Sequence, residues 1–411
     1  MNIIDTIKTE LLEAYYESKW LPLITAYAIL SIIIGPGLHY PMMHLPFILI
    51  ILAKSCFQHF KLNTPALIFL LYIPLNILLV QPAAVFRSWH RLALFAVVFL
   101  FASPVLESEY IGLYRRKILI GLLAICVVLG IGSFVCYFLG INYMVNGFDG
   151  SVINYYQTAG GFGGLVTQSI SLGFVSGLGL LYLLYRSLQQ ETGDRKWYYV
   201  GMAVLFATVL ISSSRAALIS TLMGGLMMIY QINRNNGKFF MTIMSILVVG
   251  MLTLPLWEGL TQGLQAKNKG NVELGKYGSR TVKWEARISE FESSPLIGVG
   301  FAAQDPNGKD YYDRRTGTVE PGSSWLAILS MLGIVGFVIF AFILYKPYQG
   351  LCSNQSPYNA LMLGLLAFIC MHMIAEGYIL AGGSSLCCMA WLVIGCCHDA
   401  TYLEWEEEET E

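Results

Sequence analysis

The sequence predicts an all-α polytopic membrane protein of about twelve transmembrane helices, with one large external loop that contains short helices. Three observations lead there. Charged residues are only 12% of the 411-residue chain and hydrophobic residues are 56%. Soluble domains carry about 25% charged residues, so this chain has too few charges to cover a globular surface. Apolar stretches of roughly 20 residues recur along nearly the whole chain, and a single long polar interval, residues 258–321, interrupts them.

Residues 1–19 place Asp5, Glu10, Glu13 and Glu17 before the first apolar run, the reverse of the basic start of a cleavable signal. Ile3, Ile4, Ile7, Leu11 and Leu12 recur at helical spacing, which predicts an amphipathic helix on the cytoplasmic membrane surface. Nine spans are expected over 20–257, near 20–37, 40–58, 64–84, 89–106, 118–140, 164–186, 197–213, 215–232 and 239–257. Three more fill 322–399, near 323–345, 359–379 and 383–398, and 400–411 is an acidic tail.

Lys54, Lys61, Arg115, Arg116, Lys117, Arg195 and Lys346 fall in connections on one side. The positive-inside rule assigns that side to the cytoplasm, together with both termini, and the long loop to the outside. A net charge of −1 lacks the basic footprint of a nucleic-acid partner. The adjacent pairs Cys387–Cys388 and Cys396–Cys397 lack metal-site spacing and read as apolar packing residues. Gly160 to Gly164 has no partner lysine, so no nucleotide-binding loop is indicated. The spans are unequal and show no internal repeat, which favours a membrane enzyme with an external site over a symmetric carrier.

The loop carries the densest chemistry. Arg280, Trp284, Arg287 and Phe291 stand at i, i+4, i+7 and i+11 of a helix bounded by Pro295, Gly298 and Gly300. Two guanidiniums alternating with aromatic rings suit a phosphate joined to sugars. An amphipathic helix whose arginines pair with Glu285 or Glu290 fits the same spacing. Arg215 follows Ser212-Ser213-Ser214 at the external end of its span, where a cation must snorkel or face a polar cavity. Glu320, just before Pro321-Gly322-Ser323-Ser324-Trp325, is a carboxylate at a fixed helix end, placed to take a proton from a hydroxyl. Residues 260–321 have no histidine, so a base there must be a carboxylate: Glu273, Glu285, Glu290, Glu292, Asp305, Asp310, Asp313 or Glu320. His372 and Glu376 form an i, i+4 ionisable pair in the eleventh span. Arg87, His90 and Arg91 form an external basic cluster suited to headgroups or a polyanionic lipid carrier.

Three stretches, in order, resemble the bacterial O-antigen ligase and Wzy-type O-antigen and exopolysaccharide polymerase superfamily. Ser212 to Ala217 resembles its Ser-x-Ser-Arg helix start. Ser279-Arg280, Trp284 and Pro295 to Phe301 resemble its Arg-x-x-x-Trp and Pro-Leu-x-Gly-x-Gly elements, with Arg287 and Gly298 fitting Arg-x10-Gly. Ser324-Trp325-Leu326 and Leu332-Gly333-Ile334-Val335-Gly336 resemble the next span. The resemblance covers about residues 210–340 and implies a GT-C-like glycosyltransferase architecture in a bacterial inner membrane. It implies transfer of a polyprenyl-pyrophosphate-linked oligosaccharide to an acceptor hydroxyl on the external face, with inversion and without nucleotide, metal or other cofactor. Arg215 and Arg280 would neutralise the leaving pyrophosphate, with Arg287, Trp284, Ser214, Trp325 and Arg91 at the substrate.

The ligase pattern has His-Asn where this chain has Gly322 and Ser323. That departure favours a polymerase, whose acceptor is another lipid-linked repeat unit, and leaves Glu320 as the base. The alternatives are a ligase that transfers glycan to lipid A-core or protein, and a lipid-linked oligosaccharide flippase. A chain-length regulator is a possible protein partner of such a polymerase.

Overall fold

The computed structural model describes residues 20–36, 42–55, 58–144, 161–189, 195–233, 280–305, 317 and 319–402, with isolated positions 237, 239, 241 and 244. The helix expected at 1–19, most of the span at 239–257, most of the polar loop and most of the acidic tail lie outside the described residues.

Helices stand where the apolar runs are. In chain order they are α1 (Trp20–Leu30), α2 (His44–Ser55), α3 (Thr64–Val80), α4 (Ser88–Ala102), α5 (Glu109–Leu139), α6 (Ser169–Gln189), α7 (Arg195–Ile211) and α8 (Arg215–Ile232). There follow α9 (Thr281–Ser293), which is the loop helix, then α10 (Ser324–Ser353), α11 (Pro357–Ala375) and α12 (Ser385–Tyr402). Among the described residues six helices are long and apolar enough to cross a membrane: Ala84–Ala102, Glu109–Leu139, Ser169–Gln189, Arg215–Ile232, Ser324–Ser353 and Pro357–Ala375. The first three helices are apolar but shorter. The described residues are mostly helical, and their six membrane-length helices are those of a multi-pass membrane protein.

The bundle is packed by small residues and aromatic rings. A Cβ on Gly224 of α8 would come 2.8 Å from the Gly364 carbonyl of α11, so these two helices meet backbone to backbone. Trp391 of α12 is wholly buried among Phe69, Phe95, Phe99 and Phe340, with ring centroids 4.6–6.1 Å away. The described cysteines are free thiols and mostly buried, in keeping with a packing role.

Two details correct the sequence reading. The fifth span begins at Glu109 rather than near 118, which puts Arg115 inside the bundle. Its guanidinium is fully buried, bonded to Asp399 at 2.9 Å and to the carbonyls of Phe101, Ser103 and Leu106. A buried charge persists when it is paired and its donors are satisfied, and Asp399 is too distant in sequence for that pairing to be foreseen.

The second correction concerns α10, which is broken at Gly333 (φ 67°). The segment after α9 docks into the break: Val299 donates to the Ser330 carbonyl at 2.8 Å, Gly300 to Met331 at 3.1 Å, and Ile334 to the Pro295 carbonyl at 2.8 Å. A Cβ on Gly333 would lie 2.2 Å from the Leu296 carbonyl, and one on Gly298 2.4 Å from the Met331 carbonyl carbon. The Pro-Leu-Ile-Gly-Val-Gly stretch is therefore a backbone plug that satisfies an interrupted helix inside protein, where irregular backbone at membrane depth is tolerated.

Candidate active site

One end of the bundle gathers the connections that carry the candidate residues. The α3–α4 turn reaches it, because Gly300 packs on Pro82 and Gly317 on Val85. The opposite end holds the β1–β2 ribbon (Lys61–Leu62 with Leu106–Glu107), Arg115, and Arg116, which lies 4.9 Å above the Tyr358 ring.

The floor of the site is built by Ser323 and Ser324. Ser323 caps α10, accepting from Leu326 N at 3.4 Å, and its hydroxyl donates to the Met373 carbonyl at 3.2 Å. The Ser324 amide and hydroxyl both donate to the Glu376 carbonyl, at 3.0 and 2.7 Å, and its oxygen accepts from Tyr378 N at 3.0 Å. These bonds satisfy carbonyls that the end of α11 leaves without helical partners. They also pin Glu376 beside Pro321: a Cβ on Gly377 would meet the Pro321 ring at 2.9 Å.

Four charges converge over that floor. Arg280, the N-cap of α9, places Nη1 2.7 Å from Glu320 and Nη2 2.5 Å from Glu376. Lys283, one turn on, also bonds Glu320. The side chains of Arg280 and Lys283 are largely shielded, that of Glu376 is 16% exposed, and that of Glu320 is 66% exposed. Burial raises the Glu376 carboxyl against the pull of Arg280. Partial burial also pushes Glu320 upward, but the hydrogen bond and charge of Lys283 and the charge of Arg280 overcome it and hold Glu320 below the ordinary glutamate value. The high exposure of Glu320 makes its two cations, rather than its burial, the decisive influence.

Arg215 opens α8 with an exposed side chain, and Ser214 caps that helix by accepting from Ala217 N at 3.3 Å. Helices α8 and α11 run antiparallel, with Thr221 and Phe368 meeting at Gly177 and Met228 beside Gly364. That register brings the start of α8 level with the end of α11, which Glu376 caps.

Other expected residues have structural neighbours. Arg287 shares the α9 stripe but is fully buried, paired with Glu290 at 2.8 Å and near Gln304 at 3.4 Å. It does not converge with Arg280 on one exposed surface, because its stretch of α9 packs against α10. Burial raises the Glu290 carboxyl even with Arg287 beside it. Trp284 donates to the Gly322 carbonyl at 3.0 Å and so holds the strap that carries Glu320. Trp325 donates to the Cys370 carbonyl at 3.0 Å and packs on Phe337 and Phe340. The His372–Glu376 pair does not form: α11 ends at Ala375, Glu376 turns to Arg280, and His372 Nδ1 lies 3.3 Å from the Tyr378 hydroxyl. Arg91 donates to the Gly317 carbonyl at 2.7 Å. Glu273, Asp310 and Asp313 lie outside the described residues.

Sequence reasoning missed Lys283 and the partner of Glu376. The signal for Lys283 was its i+3 spacing from Arg280, which puts both cations over one turn.

Residues 200–341 match the family model described as Wzy_C, O-antigen ligase. This segment is of the O-antigen ligase superfamily. The matched segment contains Ser214, Arg215, Arg280, Lys283, Glu320 and the plug-and-break pair of Gly298 and Gly333, whereas Arg91 and Glu376 stand outside it. A search of curated proteins gives no match. A solved structure described as "Structural coordination of polymerization and crosslinking by a peptidoglycan synthase complex" aligns with 84% of this chain and 99% of its own, at 16% identity and a TM-score of 0.43. A likeness at that level carries no argument about the reaction. The family match over residues 200–341 and the multi-pass helical fold together support the membrane glycan polymerase or ligase class.

Proposed function

We propose that the chain is a glycan polymerase that joins lipid-linked repeat units at the Arg280 cluster, on the external face of a bacterial inner membrane. In this reading the described helices other than the loop helix α9, with the 239–257 stretch, make twelve spans with both ends cytoplasmic, and residues 258–321 form the catalytic loop. The observation that carries it is the bridge of Arg280 between Glu320 and Glu376, with Lys283 alongside. Two neighbouring cations matched by two carboxylates form a place where a diphosphate can replace carboxylate as counter-ion at little electrostatic cost.

The chemistry follows from that exchange. The donor diphosphate takes Arg280 and Lys283, with Arg215 joining from α8. Glu320, the exposed carboxylate, is released toward the acceptor. Its carboxylate takes the proton of the acceptor hydroxyl as that oxygen bonds the anomeric carbon. The bond from that carbon to the diphosphate oxygen breaks, and the electron pair leaves with the diphosphate, whose growing charge the cations stabilise. A single displacement inverts the anomeric centre. Glu376, held through its own backbone by Ser324, positions Arg280.

Glycan chain length in a deletion strain tests this reading. Single repeat units on the acceptor lipid are expected. Undecorated acceptor lipid with long lipid-linked chains would point to a ligase, and cytoplasmic build-up of units to a flippase.

A further inference from the structure

Beside the charged cluster, across the Pro321–Gly377 contact, lies a cavity of about 670 Å³. Arg87, His90 and Arg91 line one part of it. Its other walls are mainly apolar, with Ile32, Leu94, Met331 and Leu380 among them. Among the described residues that line it, none carries a carboxylate.

The placement of the cations is built into the fold. Arg87 adopts a left-handed backbone (φ 50°) between a 3-10 turn and α4, and its side chain is exposed. Arg91 is one turn further along α4 and is fixed by the Gly317 carbonyl. The opposite rim, residues 377–384, is pressed onto α4: a Cβ on Gly382 would lie 2.4 Å from Phe95 Cα.

A ligand for such a cavity needs an anionic head and an apolar body. A glycan fits poorly, since Tyr378 and Ser384 are the few side-chain hydroxyls on the walls and there is no amide side chain among those described. Two guanidiniums on adjacent turns suit a diphosphate, and the aliphatic walls suit isoprene units.

We propose that this cavity is a second lipid-diphosphate site, holding the head and first isoprene units of the carrier on the other glycolipid substrate while the Arg280 cluster holds the donor's. The inference rests on the polymerase reading and deepens it, because it gives the second lipid-linked substrate a site of its own. The two sites lie on either side of the Pro321–Gly377 contact, with Glu320 on the strap before α10 and Glu376 at the end of α11, so the reacting ends of both chains are brought to the carboxylates.

Equilibrium binding of farnesyl diphosphate to the purified full chain in nanodiscs of neutral lipid tests it. Two equivalents are expected for the wild-type chain. Arg87→Ala, which removes an exposed guanidinium, and Leu94→Trp, which fills the cavity, should each weaken one equivalent by at least about tenfold. Arg280→Ala should weaken only the other. A single wild-type equivalent that Arg280→Ala removes and Arg87→Ala leaves intact would overturn the second site and spare the Arg280 assignment. Two equivalents untouched by Arg280→Ala would instead overturn the reading on which the inference rests. Equal competition by anionic phospholipid for the Arg87-sensitive equivalent would show a general headgroup site and overturn the proposal.

Discussion

Glu320 and Glu376 share one guanidinium: Arg280 reaches the first at 2.7 Å through Nη1 and the second at 2.5 Å through Nη2. The two carboxylates come from the strap before α10 and from the end of α11. Their exposures differ fourfold, 66% against 16%, and that asymmetry separates a carboxylate that can meet substrate from one that holds the arginine.

Glu320→Gln should abolish chain extension. Loss of a general base costs about 10² to 10⁴ in rate, while the exposed position predicts little loss of folded protein. Chain length on gels, with protein level measured in the same membranes, checks both. Near-normal chains in Glu320→Gln cells would sink the base assignment.

The acid limb of kcat/KM reports ionisation in the free enzyme. Lys283 and Arg280 hold Glu320 below the ordinary value, so that limb is expected below the glutamate range of about 4.3. Lys283→Gln removes the leading counter-charge, so the limb should move upward. An unmoved limb in the Lys283→Gln profile would show that another group titrates.

Arg287 and Glu290 are buried as a pair, and removing one partner of a buried pair costs about 3–5 kcal/mol. Arg287→Met should therefore lower the unfolding temperature in detergent far more than it lowers donor affinity per folded molecule. The Arg287→Met/Glu290→Leu double variant should regain much of that stability. A stable Arg287→Met protein with weakened donor binding would restore Arg287 to the substrate.

Gly333→Ala places a Cβ against the Leu296 backbone at a positive φ. A strained backbone site of this kind costs about 1–3 kcal/mol before the clash is counted. Membrane accumulation measured beside wild type should fall, and normal accumulation would mean that the plug can shift.

The helical frame was legible because apolar runs of bilayer length are a strong local signal, and helices from Trp20 to Tyr402 fall on most of them. Arg280 was expected on one face of the loop helix and Glu320 at a fixed helix end, and the two side chains meet at 2.7 Å. The Arg115–Asp399 pair, the docking of Val299 on Ser330 and the turn of Glu376 away from His372 were not. Each depends on segments remote in sequence, and helical spacing reports only neighbours three or four residues apart. Spacing likewise put Arg287 on the face of Arg280 but could not tell that α10 covers it.

The central claim is that Arg280 exchanges carboxylate for diphosphate. Binding of a prenyl-diphosphate-linked repeat unit to the purified protein, compared with its Arg280→Lys and Arg280→Ala variants, tests it most directly. Arg280→Ala should lose about 1.5–3 kcal/mol in donor affinity, with only partial rescue by lysine, which lacks the two-pronged fork. Donor affinity unchanged in Arg280→Ala would contradict the claim.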